Sequence, residues 1–201
     1  MADVRVPVER WERWVANFIE RHGETALSVD GSLAGIASDG STFRAELPFG
    51  RSYAGPAETS TFLGGAAPPA DWGVLLVRKG GFAVARLEAM VITESKVGQR
   101  HVQGRTKAGG QSQQRFARRR GNQARVAYEA AADHAARIIG RVALLVTGGD
   151  HTAVEAVLTD QRLAALRVVP PWLAVPDPRR AVLDQAVIDA ASVRIEVTNA
   201  S

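Results

Sequence analysis

The chain has 201 residues, 46% of them apolar and 23% charged, with a formal net charge of +4 and no cysteine. It is long enough to bury a core as one generous domain or two small ones, and without cysteine it has no disulfides, thiolate metal sites or cysteine nucleophile. No apolar run approaches the roughly 20 residues that cross a bilayer, and the opening MADVRVPVERWERW lacks the apolar core of a secretory signal, so a cytoplasmic protein with no membrane association is expected.

Residues Pro7 to His22 carry Trp11, Trp14, Val15, Phe18 and Ile19 at helical spacing, with Gly23 as a stop. Two strand-like pieces follow, TALSVD and STFRAELPF, separated by Gly and Asp turns. The stretch from Tyr53 to Asp71 is rich in Gly, Ala and Pro and reads as a linker or long loop. It sets the expected boundary between an N-terminal segment, 1–70, packed beside the main domain, and a second segment, 71–201.

Beyond it, WGVLLVRKGGFAVARLEAM is two apolar runs split by Gly80-Gly81, a hairpin signal. VITESKVGQRHVQ continues as a third strand, then a loop, GRTKAGGQ, leads to a long helix from about Ser112 to Ile139. RVALLVTGG reads as a buried strand and DHTAVEAVL as a helix capped by Asp150. LRVVPPWLAV is a short strand broken at Pro170-Pro171, RRAVLDQAVIDAA a helix, and SVRIEVT a closing strand. A hairpin followed by alternating helices and strands predicts an α/β (α+β) fold, a mixed sheet with helices packed on it.

The charge is unevenly placed. From Ser95 to Tyr128 there is no Asp or Glu, yet the window holds nine Lys and Arg, which leaves 16 basic and 21 acidic residues elsewhere. A mildly acidic body carrying one strongly basic block predicts a polyanionic partner. At 100° per residue, Phe116, Ala124, Ala127, Ala131, Ala135 and Ile138 share one side of the long helix. Arg115, Arg118, Arg119, Asn122 and Arg125 share the opposite one, so the alanines are expected to pack and the arginines to face out. Arg120 falls on the apolar side, and Gly121 within the helix costs roughly 1 kcal/mol relative to Ala.

Gly109 and Gly110 stand where this helix begins. A helix N-terminus offers unpaired N–H groups and partial positive charge, which suits phosphate, and Ser112 is placed to cap it. Glycines there let the backbone approach a ligand with no Cβ in the way. Gln111 would be held at the tip, flanked by Arg105, Lys107 and Arg115.

GGQSQQRFARRR resembles the catalytic loop and following helix in the middle domain of the class-1 peptide-chain release factors of eukaryotes and archaea. LVTGGDHTAVEAVLTDQRL resembles that domain's next strand, turn and helix, so the likeness covers roughly Trp72 to Val197. With the lead-in VQGRTKAGG and the continuation RRGNQAR, the chain resembles still more closely a release-factor-like branch of peptidyl-tRNA hydrolases. That branch includes the ribosome-quality-control hydrolase of eukaryotes and its bacterial relatives. The resemblance implies a ribonuclease-H-like middle-domain fold with an exposed Gly-Gly-Gln loop leading into a long basic helix. Residues 1–70 are too short and irregular for a stop-codon-reading domain, so codon-independent action on stalled or obstructed large subunits is expected.

Under that resemblance the bond cleaved is the ester between a peptide and the terminal ribose of tRNA, with Gly109, Gly110 and Gln111 as the catalytic residues. The Gln111 backbone N–H would donate toward the developing oxyanion, and its amide would place water. Arg105, Lys107, Ser112, Arg115, Arg118, Arg119 and Arg125 would hold RNA of peptidyl-tRNA or of the large ribosomal subunit. No metal and no other cofactor is expected, and the protein is expected to be a monomer. His22, His101, His134 and His151 have no metal-ligand spacing, and a surface or capping role is assigned to His151. The TGGD turn has only a faint likeness to a phosphate loop. Two alternatives stay open at this stage: a nuclease cutting the tRNA 3′ end with the same loop, and a non-catalytic RNA- or ribosome-binding module.

Overall fold

The computed structural model describes residues 2–99 and 111–200; the side chains of residues 99 and 111–124 lie outside that description. The chain divides into two compact units, one formed by Met1–Pro68 with Val187–Ser201 and the other by Pro69–Ala186.

The first unit is an antiparallel sheet with helices on one face. Its elements are β1 (Ala2–Val6), α1 (Trp11–His22), β2 (Thr25–Val29), β3 (Leu33–Ala37), β4 (Thr42–Glu46) and α2 (Thr59–Gly64), and the closing strand β10 (Val193–Thr198) completes it. The strand order is β1-β10-β4-β3-β2. Strict alternation places Leu33, Phe43, Ala45, Val193 and Ile195 on the inner face, where they pack with Trp11, Val15 and Phe18 of α1 and Phe62 of α2. Phe43 meets the rings of Trp11, Trp14 and Phe18 edge-on. It lies across Gly35, its cross-strand partner, where a Cβ would come within 2.2 Å of the ring. The Trp11 indole N–H donates to the Thr59 carbonyl at 3.1 Å.

The second unit has β5 (Trp72–Arg78), β6 (Gly81–Glu88), β7 (Val91–Gln99), α3 (Gln111–Ile139), β8 (Leu144–Gly149), α4 (His151–Leu158), β9 (Arg167–Leu173) and α5 (Arg180–Ala190), the last of which carries the chain back to the first unit. Its sheet order is β7-β6-β5-β8-β9, with β5, β6 and β7 antiparallel and β5, β8 and β9 parallel. This is the mixed sheet expected from the hairpin followed by alternating elements. β5 is buried over six of its seven residues, as a central strand covered on both faces must be.

Four sequence expectations need correction. The N-terminal segment holds β1 and β3 besides the two strands expected, and SVRIEVT joins it rather than the second segment. The Gly/Ala/Pro-rich stretch contains a short helix, α2. Strand β9 resumes beyond Pro170-Pro171 instead of ending there. Its ladder with β8 is interrupted at the prolines, Val146 pairing with Val169 and Gly148 with Leu173. It is an edge strand, where a missing N–H need cost no ladder bond.

Candidate functional site

Helix α3 is 29 residues long and begins at Gln111, one residue before the expected start. Ser112 therefore stands inside the first turn and not at the capping position. Gln111 is the first helical residue, so its backbone N–H is among the four with no intrahelical acceptor. Gly109, Gly110, Arg105, Lys107 and His101 lie outside the described residues.

The rear of α3 seats the helix. Ala131, Ala135 and Ile139 are fully buried, and Ala132 and Ile138 nearly so, in a cluster with Leu75, Phe82 and Val84 of the sheet and Val154 and Val157 of α4. Small residues let the helix axis approach the sheet closely, and Gly73 extends this, since a Cβ there would meet Ile139 at 2.9 Å. At about 1.5 Å per residue, Gln111 stands roughly 30 Å along the axis from Ala131.

Positions 111, 115, 118, 119, 122 and 125 share one helical phase, and 129 and 133 continue it. Basic and amide residues occupy this stripe as far as Arg125; Glu129 and Asp133 then change its sign. Arg125, the one predicted RNA-binding residue with a described side chain, is 67% exposed and pairs with Glu129 at 2.7 Å. The rear carboxylates and cations tie the helix down. Asp133 accepts from Arg162 at 2.6 Å, Arg162 also bonds Asp160, and Arg137 pairs with Glu94 of β7. The Arg162 guanidinium, with the Arg162 backbone N–H, holds the Asp160 carboxyl down to about 2. Burial pushes the Tyr128 phenol up, and the charge of Asp150 adds to this.

The remaining motifs have structural explanations. In the TGGD turn, a Cβ on Gly148 would meet the Leu173 carbonyl oxygen at 2.3 Å. One on Gly149, at φ +104, would meet that of Val77 at 2.3 Å, and the Asp150 N–H donates to this same Val77 carbonyl at 2.8 Å. Close backbone neighbours thus account for both glycines. Asp150 caps α4, as expected, by accepting from the Ala153 N–H. His151 is exposed and stacks on Trp172 at 3.6 Å between centroids. His22 bonds Asp39 at 2.8 Å, and His134 stacks on Phe82. Among the described residues no three His, Asp or Glu side chains are grouped to hold a metal, and no helix is long and apolar enough to cross a membrane. Sequence reasoning missed the Arg137–Glu94 tie and the packing of Phe82 over Gly98. The Phe82–Gly98 pair follows from strand register, which a single strand does not reveal.

No curated protein matches the chain. Among solved structures it is similar to one described as the Vms1 mitochondrial localization core, with 12% identity over 92% of this chain and 80% of that one, at a TM-score of 0.43. The family model for the Actinobacteria/chloroflexi VLRF1 release factor matches residues 70–196. That span agrees with the Trp72–Val197 likeness read from the sequence and includes β5 to β9 with α3 and α4. It covers well over half of the 201 residues, and the chain belongs to the Actinobacteria/chloroflexi VLRF1 release factor family, with a ribosome-associated, release-factor-like role.

Proposed function

We propose that the protein is a codon-independent peptidyl-tRNA hydrolase that frees nascent peptide from tRNA on stalled or obstructed large ribosomal subunits, in the cytoplasm. The observation that carries this reading is the position of Gln111 as the first residue of α3, at the head of a stripe that stays free of acid as far as Arg125. An ester needs a placed water and a donor for the charge that develops on attack; it needs no protein nucleophile. The Gln111 backbone N–H donates to that oxygen, Gly109 and Gly110 let the main chain come close, and the Gln111 amide orders the water. One preorganised donor of this kind contributes roughly 3–4 kcal/mol to the transition state. Arg105, Lys107, Ser112, Arg115, Arg118, Arg119 and Arg125 hold RNA and set affinity, with a steep dependence on salt.

The test uses large subunits carrying end-labelled peptidyl-tRNA. Released peptide with intact tRNA supports the proposal; shortened tRNA identifies a nuclease, and binding without products a docking module. Gln111→Ala keeps the backbone N–H and removes only the amide that orders the water, so it should lower release while leaving subunit binding within a few-fold. Gln111→Pro removes the N–H itself and should lower release about 100-fold or more. Unchanged release in both variants would remove Gln111 from the chemistry.

A further inference from the structure

The first unit carries a surface of its own that the proposed hydrolysis does not use. A groove follows α1, walled on its other side by β1 and β10, and it opens as two pockets of about 530 and 690 Å³ that share Trp14 and Asn17. Arg10 and Arg13 line one end and Arg21 the other. The unit as a whole holds eleven carboxylates and seven arginines, yet four of those arginines, Arg5 included, line this groove, against one carboxylate, Glu20, among its described residues. Elsewhere in the unit the arginines are engaged: Arg44 with Asp30 at 2.8 Å, Arg194 with Asp3 at 3.0 Å, and Arg51 with the Gly65 carbonyl at 3.1 Å. The guanidinium groups of Arg10, Arg13 and Arg21 have no such partner among the described residues. Arg10, Arg13 and Arg21, unpaired on an acidic body, call for an anion from outside.

The second feature is β1 itself. It ends the sheet order, so one of its edges is unpaired, and Ala2, Asp3 and Arg5 are exposed. In register, Val4 and Val6 stand opposite the buried Ile195 and Val193 and face the same side, the side of the groove. A chain laid along this edge would satisfy the open backbone groups and send every second side chain over the groove. We propose that the groove receives an extended acidic segment of a partner protein, added to β1 as a further strand. Its groove-facing positions, every second residue, are apolar at the centre, over Val4 and Trp14. At the two ends they are acidic, meeting Arg10 and Arg13 on one side and Arg21 on the other. A nucleic acid strand would find the cations but could not use the strand edge. A second copy of the chain would bring like-charged arginine rims together.

The 201-residue protein is titrated with a fluorescein-labelled eight-residue peptide, Glu-Ser-Val-Ser-Val-Ser-Glu-Ser, with the counterpart carrying Lys in place of Glu, and with a ten-nucleotide oligouridylate. Saturable binding of the Glu peptide is expected, with at least tenfold weaker binding of the Lys peptide and amide shift changes concentrated in residues 2–6. Arg10→Glu with Arg13→Glu, and separately Arg21→Glu, should each weaken the Glu peptide at least fivefold at unchanged melting temperature. The inference is overturned by the absence of saturation at millimolar peptide or by equal binding of the variants. Displacement of the peptide by oligouridylate, with that RNA lost from the same variants, also overturns it and assigns the groove to RNA. None of these readouts involves release activity, so the result stands apart from the hydrolase reading.

Discussion

Helices α1 and α3 are seated on their sheets by opposite means. α1 has 12 residues and is held by large rings: Trp11, fully buried, and Phe18, almost so, close around Phe43 from the facing sheet. α3 has 29 residues and is held over its rear by alanines and isoleucines, with no aromatic residue among the fully buried positions that are described. Rings concentrate burial in a few positions and fix a short helix. Alanines spread a shallow contact along a close approach, so the seat can lie at one end and the proposed catalytic end at the other. The contrast predicts different failures for the two helices.

Removing a ring should have the largest effect. Trp11→Ala empties a fully buried site and leaves the Thr59 carbonyl without its donor, so a loss of about 3–5 kcal/mol is expected, read by urea denaturation. A loss below 1 kcal/mol would mean that the ring cluster is not what seats α1. On α3 the vulnerable change is enlargement. Ala135 is fully buried between helix and sheet, and Ala135→Leu forces extra methyl groups into that contact at about 1–3 kcal/mol. The same variant should lower peptide release more than the fraction unfolded explains, because lifting the seat moves the end that carries Gln111. If release instead tracks the folded fraction, the two ends of α3 are not mechanically linked.

How far each region could be read from sequence follows the same division. The second unit is built from local signals: Gly80-Gly81 marks the β5–β6 turn, and the alanine period along α3 marks both its length and its buried side. The Gly-Gly-Gln head and the arginine stripe are contiguous, so the candidate site was visible as a string of letters. The first unit depends on distant pairing. β1 is five residues ending just before Pro7, and its partner β10 lies almost the whole chain away, so nothing near Val4 and Val6 announces a strand. β3, LAGIA, looks too small and glycine-rich for a strand until Phe43 is seen lying across Gly35. The prolines of β9 mark the interruption of its ladder with β8, but that the strand resumes beyond them depends on its edge position in the finished sheet.

The smallest effect is the most discriminating for the front of α3. Glu129 is the first acid on the stripe and pairs with Arg125, but the two side chains are 57% and 67% exposed, a kind of pair that contributes only about 0.3–0.5 kcal/mol. Glu129→Gln should therefore leave the melting temperature almost unchanged. If the stripe holds phosphates, the same substitution frees Arg125 and removes a repulsive charge. Binding of a tRNA acceptor-stem minihelix should then tighten at low salt, and the slope of log K against log salt should steepen by up to about one unit. An unchanged slope would place Arg125 behind the RNA-contacting part of the helix. The contact would then be confined to the turns nearer Gln111.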